Sequence, residues 1–241
     1  WYAPRTHARV RGAYHRAMQP RPIARLLHAV VALSAVVGTI LAFGNVLAGG
    51  SLEPPVEAGL FDFAAESMGG RVLDMASYFT EWSNVLVAVV FALLAVRTDG
   101  RGRLMRVMLL DALLMIVVTG VVYNAILAPA GPAHHGVDLV ATTLEHTVTP
   151  ILAIVVWAWV GPRGCLERGL IPAALVIPIV WIAYSMARGA IVDAYPYGFM
   201  NVVHLGYPLA VVNLLVILLI GIALCFALVG VDRLARRWSR A

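Results

Sequence analysis

Residues 207–231 read YPLAVVNLLVILLIGIALCFALVGV, a stretch without a single charged side chain. About 20 consecutive apolar residues are enough to carry a helix across the hydrocarbon core of a bilayer. Five further runs of this kind precede it, separated by polar segments. The sequence therefore predicts an all-α, polytopic membrane bundle of six transmembrane helices. The runs, called the first to sixth spans from here on, cover residues 23–47, 78–96, 105–127, 137–160, 170–187 and 207–231.

The composition excludes an ordinary soluble protein. Hydrophobic residues make up 61% of the 241, charged residues only 13%, and the mean hydropathy is +0.85. A soluble domain usually carries about 25% charged residues. The net charge of +5 would suit a nucleic-acid binder only if the charges clustered on one folded face. Here they lie at the ends of apolar runs, so membrane lipids are the expected partners, and no nucleic acid is expected.

The arginines predict the orientation. All 18 basic residues are Arg, and 16 of them fall on one side of the predicted spans; the exceptions are Arg71 and Arg188. Because positive charge resists translocation, the richer side is predicted to be cytoplasmic. Both termini then lie inside, as a basic segment 1–22 and a basic tail 232–241 around the membrane domain 23–231. The all-Arg, Ala- and Val-rich composition favours the bacterial cytoplasmic membrane as the location.

Two segments near the first span allow more than one interpretation. The first span has 25 residues, longer than the roughly 7–15 of a signal-peptide core, which favours a retained helix. The loop 48–77 is long, its charged residues are mostly acidic, and it contains Phe61 and Phe63. A lid or interfacial segment over the outer mouth of the bundle and a plain disordered loop are both compatible with it.

Polar residues are concentrated in the predicted outer half of the spans. Positions three and four apart share one face of a helix, and three spans carry such a stripe. Polar groups in hydrocarbon usually face the bundle or a cavity. The stripes therefore predict one pocket that opens toward the outer leaflet. They comprise Thr80, Ser83 and Asn84 in the second span, Thr142, Glu145, His146 and Thr149 in the fourth, and Trp181, Tyr184, Ser185 and Arg188 in the fifth.

Pro150 lies four residues after His146. A proline inside a helix lacks the N–H that would bond the carbonyl four residues earlier, and its ring displaces that carbonyl. We therefore expect the fourth span to kink beside His146 and to leave the backbone carbonyl of that residue free to accept another hydrogen bond.

The pocket has the residue types of nucleophilic catalysis. A hydroxyl is reactive at neutral pH only when a base takes its proton, and His146 can act as that base. The simplest pairing is with Thr80. Spacing alone does not select Thr80 over Ser83, Thr142 or Ser185.

Supporting roles are expected for four neighbours of this pair. Glu145 or Asn84 would orient the imidazole ring, as the third member of a triad does. Arg188 and Tyr184 would stabilise a developing oxyanion or hold a carboxylate.

Three short motifs resemble a known family. Residues 78–86 read YFTEWSNVL, residues 146–150 read HTVTP, and residues 184–189 read YSMARG, followed by YPY at 195–197. This set is similar to motifs of the androgen-induced-gene family of six-helix membrane threonine hydrolases, which cleave fatty acid esters of hydroxy fatty acids. The third motif is similar to that of the family's bacterial relatives.

The resemblance implies a function and two catalytic residues. Thr80 matches the family's nucleophile and His146 its histidine, so the implied activity is hydrolysis of a lipid-like ester without a cofactor. Glu81, directly after the nucleophile position, and the length of the loop 48–77 depart from the family's pattern.

Other classes of function remain open. The same pocket would suit a non-catalytic lipid-binding or scaffold protein. A channel or transporter is disfavoured because the inner halves of the spans show no continuous polar path. A metal site would draw on side chains near the outer side, but they lack dense ligand spacing, so no metal is predicted. These side chains are His134, His135, His146, His204 and Glu145.

Overall fold

The computed structural model describes residues 22–50, 55–64, 66–96, 102–129 and 133–238. Within these ranges the regular secondary structure consists of helices joined by turns and loops. Six of the helices are long and apolar enough to cross a membrane. The predicted all-α bundle of six spans is confirmed. Its orientation stays a prediction, and the basic segment 1–21 lies outside the described residues. The helices are Pro22–Leu47, Phe79–Val96, Arg103–Leu127, Gly136–Val160, Arg168–Val192 and Val202–Arg237.

The fifth span departs from its predicted bounds mainly at its end. It ends at Val192 rather than at residue 187, and Asp193 then closes it in the left-handed conformation with a φ of 53°. The helix is also broken at Leu175, between Ile171–Ala174 and Val176–Val192. Pro178 cannot donate a hydrogen bond to the carbonyl of Ala174, which explains the break in an otherwise apolar run.

The sixth span extends beyond its predicted bounds at both ends. The helix runs Val202–Trp238, interrupted at Gly206, whose φ of 73° and ψ of 160° are not helical. At its C-terminal end the helix continues past residue 232, where the basic tail was predicted to begin. There the buried carboxylate of Asp232 accepts hydrogen bonds from the backbone N–H of Gly164 at 2.9 Å and of Leu166 at 2.8 Å. The loop between the fourth and fifth spans is thereby anchored to the sixth.

The core lies between the second, third and fourth spans, where Phe91, Ile116 and Trp157 are fully buried. The first span packs along the second and the fourth, and most of its buried residues are small, which lets the backbones approach closely. These small residues are Ala24, Ala32, Ala35, Gly38 and Ala42. Its large side chains face outward instead, as in Leu26, Leu33 and Ile40. An apolar outer surface of this kind matches surroundings of lipid rather than of water.

Three connections meet at one end of the bundle, here called the loop end: 48–77, 128–135 and 193–201. Ser67 caps a short helix, Met68–Met75, by accepting the N–H of Gly70 at 3.2 Å. Residues 59–61 run alongside Tyr195, which donates its N–H to the carbonyl of Gly59 at 2.8 Å. The described part of the loop 48–77 is thus packed over the bundle, as a lid or interfacial segment would be.

Candidate functional site

Thr80 and His146 meet at the loop end of the bundle. Thr80 lies in the first turn of the second span and is 7% exposed. His146 reaches it from the fourth span, and its Nε2 lies 3.1 Å from the Thr80 Oγ1. The hydroxyl and the imidazole are therefore at hydrogen-bond distance across two helices.

The imidazole of His146 is held in one tautomer. Its Nδ1 lies 3.0 Å from the backbone carbonyl of Thr142. Because a carbonyl oxygen only accepts, Nδ1 must carry the proton, and in the neutral ring Nε2 is then an acceptor. The ring also stacks on Tyr123 with centroids 4.0 Å apart. His146 is thus oriented to take a proton from Thr80.

The backbone at His146 has the free carbonyl expected beside Pro150. Residues Leu144–Val148 form a π turn directly before Thr149–Val160 resumes the α-helix. The freed carbonyl of His146 accepts a hydrogen bond from the side-chain amide of Asn124 at 2.9 Å. Asn124 lies in a second π turn, Tyr123–Leu127, at the end of the third span.

Close contact between the third and fourth spans depends on a glycine. A Cβ on Gly120 would lie 2.9 Å from the Pro150 ring and 3.3 Å from the carbonyl oxygen of His146. The two π turns and Gly120 together bring Asn124 to the backbone of the histidine.

Tyr197 completes the site and was not predicted from the sequence. It lies in the connection 193–201, and its hydroxyl is 3.4 Å from both the backbone nitrogen and the Oγ1 of Thr80. Burial raises the pKa of this phenol to about 12, so it remains a proton-bearing donor. The one sequence feature that pointed to it was its place in the YPY segment of the third motif.

A mostly apolar cavity opens from this group of side chains. It runs between the third, fifth and sixth spans, and its empty volume, including the part that opens outward, is about 710 Å³. Thr80, His146 and Tyr197 line its loop end, and Leu114 and Gly221 lie deepest along their spans. Its other lining residues are Phe79, Val118, Thr119, Val122, Tyr123, Leu127, Leu175, Pro178, Trp181, Ile182, Phe199, Leu214, Ile217 and Leu218.

Asn84 and Glu145 lie behind the cavity rather than in its lining, which corrects the expected single pocket. The Asn84 amide donates to the carbonyl of Thr80 at 3.0 Å and to that of Glu145 at 3.4 Å. The Glu145 carboxyl accepts from the hydroxyl of Thr39 in the first span at 3.3 Å. Neither orients the imidazole, because the carbonyl of Thr142 already accepts its Nδ1 proton.

Glu145 belongs to a second polar group, formed with Glu81 and Thr39. Glu81 and Glu145 are 3% and 2% exposed, and their carboxyls lie side by side. Neither oxygen of Glu81 has a partner in ordinary hydrogen-bond geometry among the described residues. Gly38 makes room for this group, since a Cβ there would lie 2.7 Å from the Glu145 Cγ.

Tyr184, Ser185 and Arg188 are also outside the cavity lining, and the contacts of Tyr184 and Arg188 do not support the oxyanion role expected of them. The Tyr184 hydroxyl lies 2.9 Å from that of Ser77. Arg188 pairs with the buried carboxylate of Asp74. The Ser185 hydroxyl is buried without a partner among the described residues. This stripe does share one face, but the face binds the segment before the second span.

A cation–π contact adds to the same attachment. The Arg188 guanidinium lies 4.8 Å from the centroid of Phe61, in the loop 48–77. The fifth span therefore holds the loop in place through the residues that were predicted to bind a ligand.

Two other histidines near the loop end are engaged separately. His134 bonds Asp138, four residues later, and His204 approaches Glu57 at 4.0 Å. Among the residues that the structure describes, no group of three or more His, Cys, Asp and Glu side chains is arranged to hold a metal ion. Comparisons of the chain with protein-family models, with curated proteins and with solved structures found no match.

Proposed function

We propose that the protein is an integral membrane lipid-ester hydrolase, with Thr80 as nucleophile and His146 as general base. The observation that carries the proposal is the contact of 3.1 Å between the Thr80 Oγ1 and an imidazole nitrogen that can only accept. An activated hydroxyl needs a base in this position.

The reaction follows from the two groups. Oγ1 of Thr80 bonds to the ester carbonyl carbon while its proton passes to Nε2 of His146. The carbon–oxygen bond to the alcohol then breaks, and the departing alkoxide takes the proton from the imidazolium. Water next attacks the acyl-threonine with His146 again as base. Its oxygen bonds to the carbonyl carbon, the bond to Oγ1 breaks, and Oγ1 recovers a proton as the fatty acid leaves.

The cavity supports a substrate with an acyl chain. From Tyr123, which stacks on His146, its lining continues along the third span to Leu114. The nine helical steps between these two residues span about 13 Å at 1.5 Å per residue. An acyl chain would lie along this apolar wall with its ester beside Thr80. Membrane burial suits such a substrate, because it can enter sideways from the lipid without crossing water.

The motif resemblance supports the same two residues. In the androgen-induced-gene family the positions of Thr80 and His146 are those of the nucleophile and the histidine. The arginine distribution would place the site in the outer half of the bilayer.

The test is release of free fatty acid from a panel of lipid esters by the purified protein in detergent. We expect turnover by the wild type and none above background for Thr80→Ala. Thr143→Ala is the matched control, because Thr143 lies on an exposed position of the fourth span and the same hydroxyl is removed. A serine- and threonine-hydrolase probe should label the wild type at Thr80 and fail to label Thr80→Ala.

The opposite result would change the interpretation. If Thr80→Ala hydrolyses the esters as fast as the wild type, Thr80 is not the nucleophile. The cavity would then be better explained as the binding site of a non-catalytic lipid-binding or scaffold protein.

A further inference from the structure

The hydrogen bonds around Thr80 form a chain with one direction. The backbone N–H of Thr80 can only donate, so the hydroxyl oxygen of Tyr197 accepts from it. The Thr80 hydroxyl donates to His146, whose Nε2 can only accept. The Tyr197 proton must then point toward the Oγ1 of Thr80, 3.4 Å away. Tyr197 therefore directs a donor at the nucleophilic oxygen.

The Tyr197 ring is held firmly where this donor is needed. Tyr78 packs edge-on against it with centroids 5.3 Å apart, and Phe199 stacks on it at 5.1 Å. Trp181 closes a third side at 6.1 Å. A donor fixed before the reaction stabilises developing charge better than one that must reorient from solvent.

We propose that Tyr197 is a further catalytic residue, whose hydroxyl donates to the ester carbonyl oxygen as that oxygen becomes negative. The inference rests on the proposed function. As the Thr80 Oγ1 bonds to the carbonyl carbon, the π electron pair moves onto the carbonyl oxygen. The Oγ1 lone pair that Tyr197 had faced is now in the new bond, so its proton turns to the adjacent oxyanion. Collapse of the tetrahedral intermediate returns the pair and expels the alkoxide, which is protonated by His146.

The other hydroxyls near Thr80 have different partners. The hydroxyl of Thr119 lies 2.8 Å from that of Ser83. Tyr184 and Arg188, the donors favoured by the sequence, bond Ser77 and Asp74 instead. Tyr197 is thus a lining residue whose hydroxyl lies beside both the nucleophilic Oγ1 and the backbone N–H of Thr80, where the carbonyl oxygen of a bound ester would be close to it.

The test compares Tyr197→Phe with the wild type, using the ester that the wild type hydrolyses fastest. Loss of one oxyanion donor typically lowers kcat by about 10²–10³-fold. We expect a fall of that size with KM changed less than about twofold, because the hydroxyl acts on the transition state and not on the bound ester. Tyr195→Phe is the matched control, since it removes the phenol hydroxyl of a buried residue two positions away, and that hydroxyl lies beside Tyr207 rather than Thr80.

The possible outcomes separate this inference from the proposed function. If Thr80→Ala is inactive but Tyr197→Phe matches the wild type, the role of Tyr197 is overturned and the hydrolase stands. If Tyr197→Phe raises KM and lowers the melting temperature in parallel with its loss of rate, its role is structural and the inference fails. A wild type that hydrolyses none of the esters refutes both. A selective fall in kcat, with Tyr195→Phe close to the wild type, supports the inference.

Discussion

Two polar groups flank the second span, and they are built from neighbouring residues in the sequence. Thr80 and His146 face the cavity at the loop end, within reach of Tyr197. Glu81 and Glu145, each one position away, face the first span, where they lie beside Thr39 and against Gly38. The group of Thr80 and His146 borders the cavity, and its hydrogen bonds run in one direction. The group of Glu81 and Glu145 is enclosed between helices.

The difference follows from helix geometry. Successive residues of an α-helix are rotated by about 100°, so neighbours point toward different surroundings. A stripe drawn at spacings of three and four is also about 100° wide, and its two edges can contact different helices. On the fourth span Thr149 bonds Ser34 of the first span at 2.7 Å, whereas His146 contacts the second and third. Catalysis is expected only at the edge of the stripe that borders the cavity, because a substrate can reach that edge.

The largest effect is expected from removing both members of the cavity pair. Thr80→Ala and His146→Ala should each lower kcat by about 10⁴-fold or more, because groups that act as one unit fail together. The double variant should then be within about threefold of either single one. Steady-state kinetics of all four proteins on one ester provides the measurement. Single effects that multiply in the double variant would show that the two residues act independently.

A smaller and selective effect is expected at the deep end of the cavity. A Cβ on Gly221 would lie 3.7 Å from the Leu114 Cδ1, so Gly221→Leu would fill that end. For long acyl chains kcat/KM should fall by about 10–100-fold, since several methylenes lose their site, and short acyl chains should be unaffected.

Gly230→Leu is the control for this prediction. Gly230 lies on the same helix with nothing within 4 Å of its Cβ position, so it tests the general effect of a larger residue. An equal loss for short and long chains, or the same loss in Gly230→Leu, would argue that the cavity does not hold the chain.

A modest effect is expected from the amide that supports the histidine. Asn124 donates to the carbonyls of His146 at 2.9 Å and of Gly120 at 2.8 Å. Asn124→Ala should lower the free energy of unfolding by about 1–2 kcal/mol, since the carbonyl of His146 loses its donor. We also expect a several-fold loss of kcat as the π turn shifts. Unfolding in denaturant alongside kinetics would test this, and an unchanged stability would contradict it.

The smallest effect is expected in the enclosed group. Glu81→Gln replaces the carboxyl beside Glu145 and Thr39 with an amide that can donate to Glu145. We expect kcat within about threefold of the wild type and a free energy of unfolding higher by about 1 kcal/mol. The same assays would measure both. A loss of turnover like that of Thr80→Ala would mean that the two groups act together.

The sequence was sufficient for the spans but less so for their ends. Uninterrupted apolar runs gave six helices, because spanning requires length and little else. The fifth helix was longer than predicted because Arg188, whose charge ends the apolar run, pairs with Asp74 and the helix continues past it to Val192. The extension at Val202 depended on Gly206, whose left-handed φ allows the chain to join two helical segments.

For the site, periodicity placed Thr80 and His146 among several candidates, the motif resemblance selected these two, and Pro150 identified the free carbonyl. Asn84 and Glu145 were placed in the same pocket because a stripe does not reveal which helix each edge contacts. Tyr184 and Arg188 do share a face, but its partner is Asp74 and Ser77, and that pairing depends on how a distant loop folds. Tyr197 lies in a connection without periodicity, so only its motif pointed to it.

The π turn Leu144–Val148 decides which carbonyl of the fourth span lacks a backbone donor. A π turn closes a hydrogen-bonded ring one residue larger than that of an α turn, so it takes up one extra residue. Deleting Thr147 would let a uniform α-helix form with both sides in nearly their present orientation, and Ala153 and Trp157 would stay in the core. Pro150 would then follow Glu145 by four residues, so the carbonyl without a backbone donor would be that of Glu145 rather than that of His146. One missing codon here would therefore take from the Asn124 amide the acceptor that it now has.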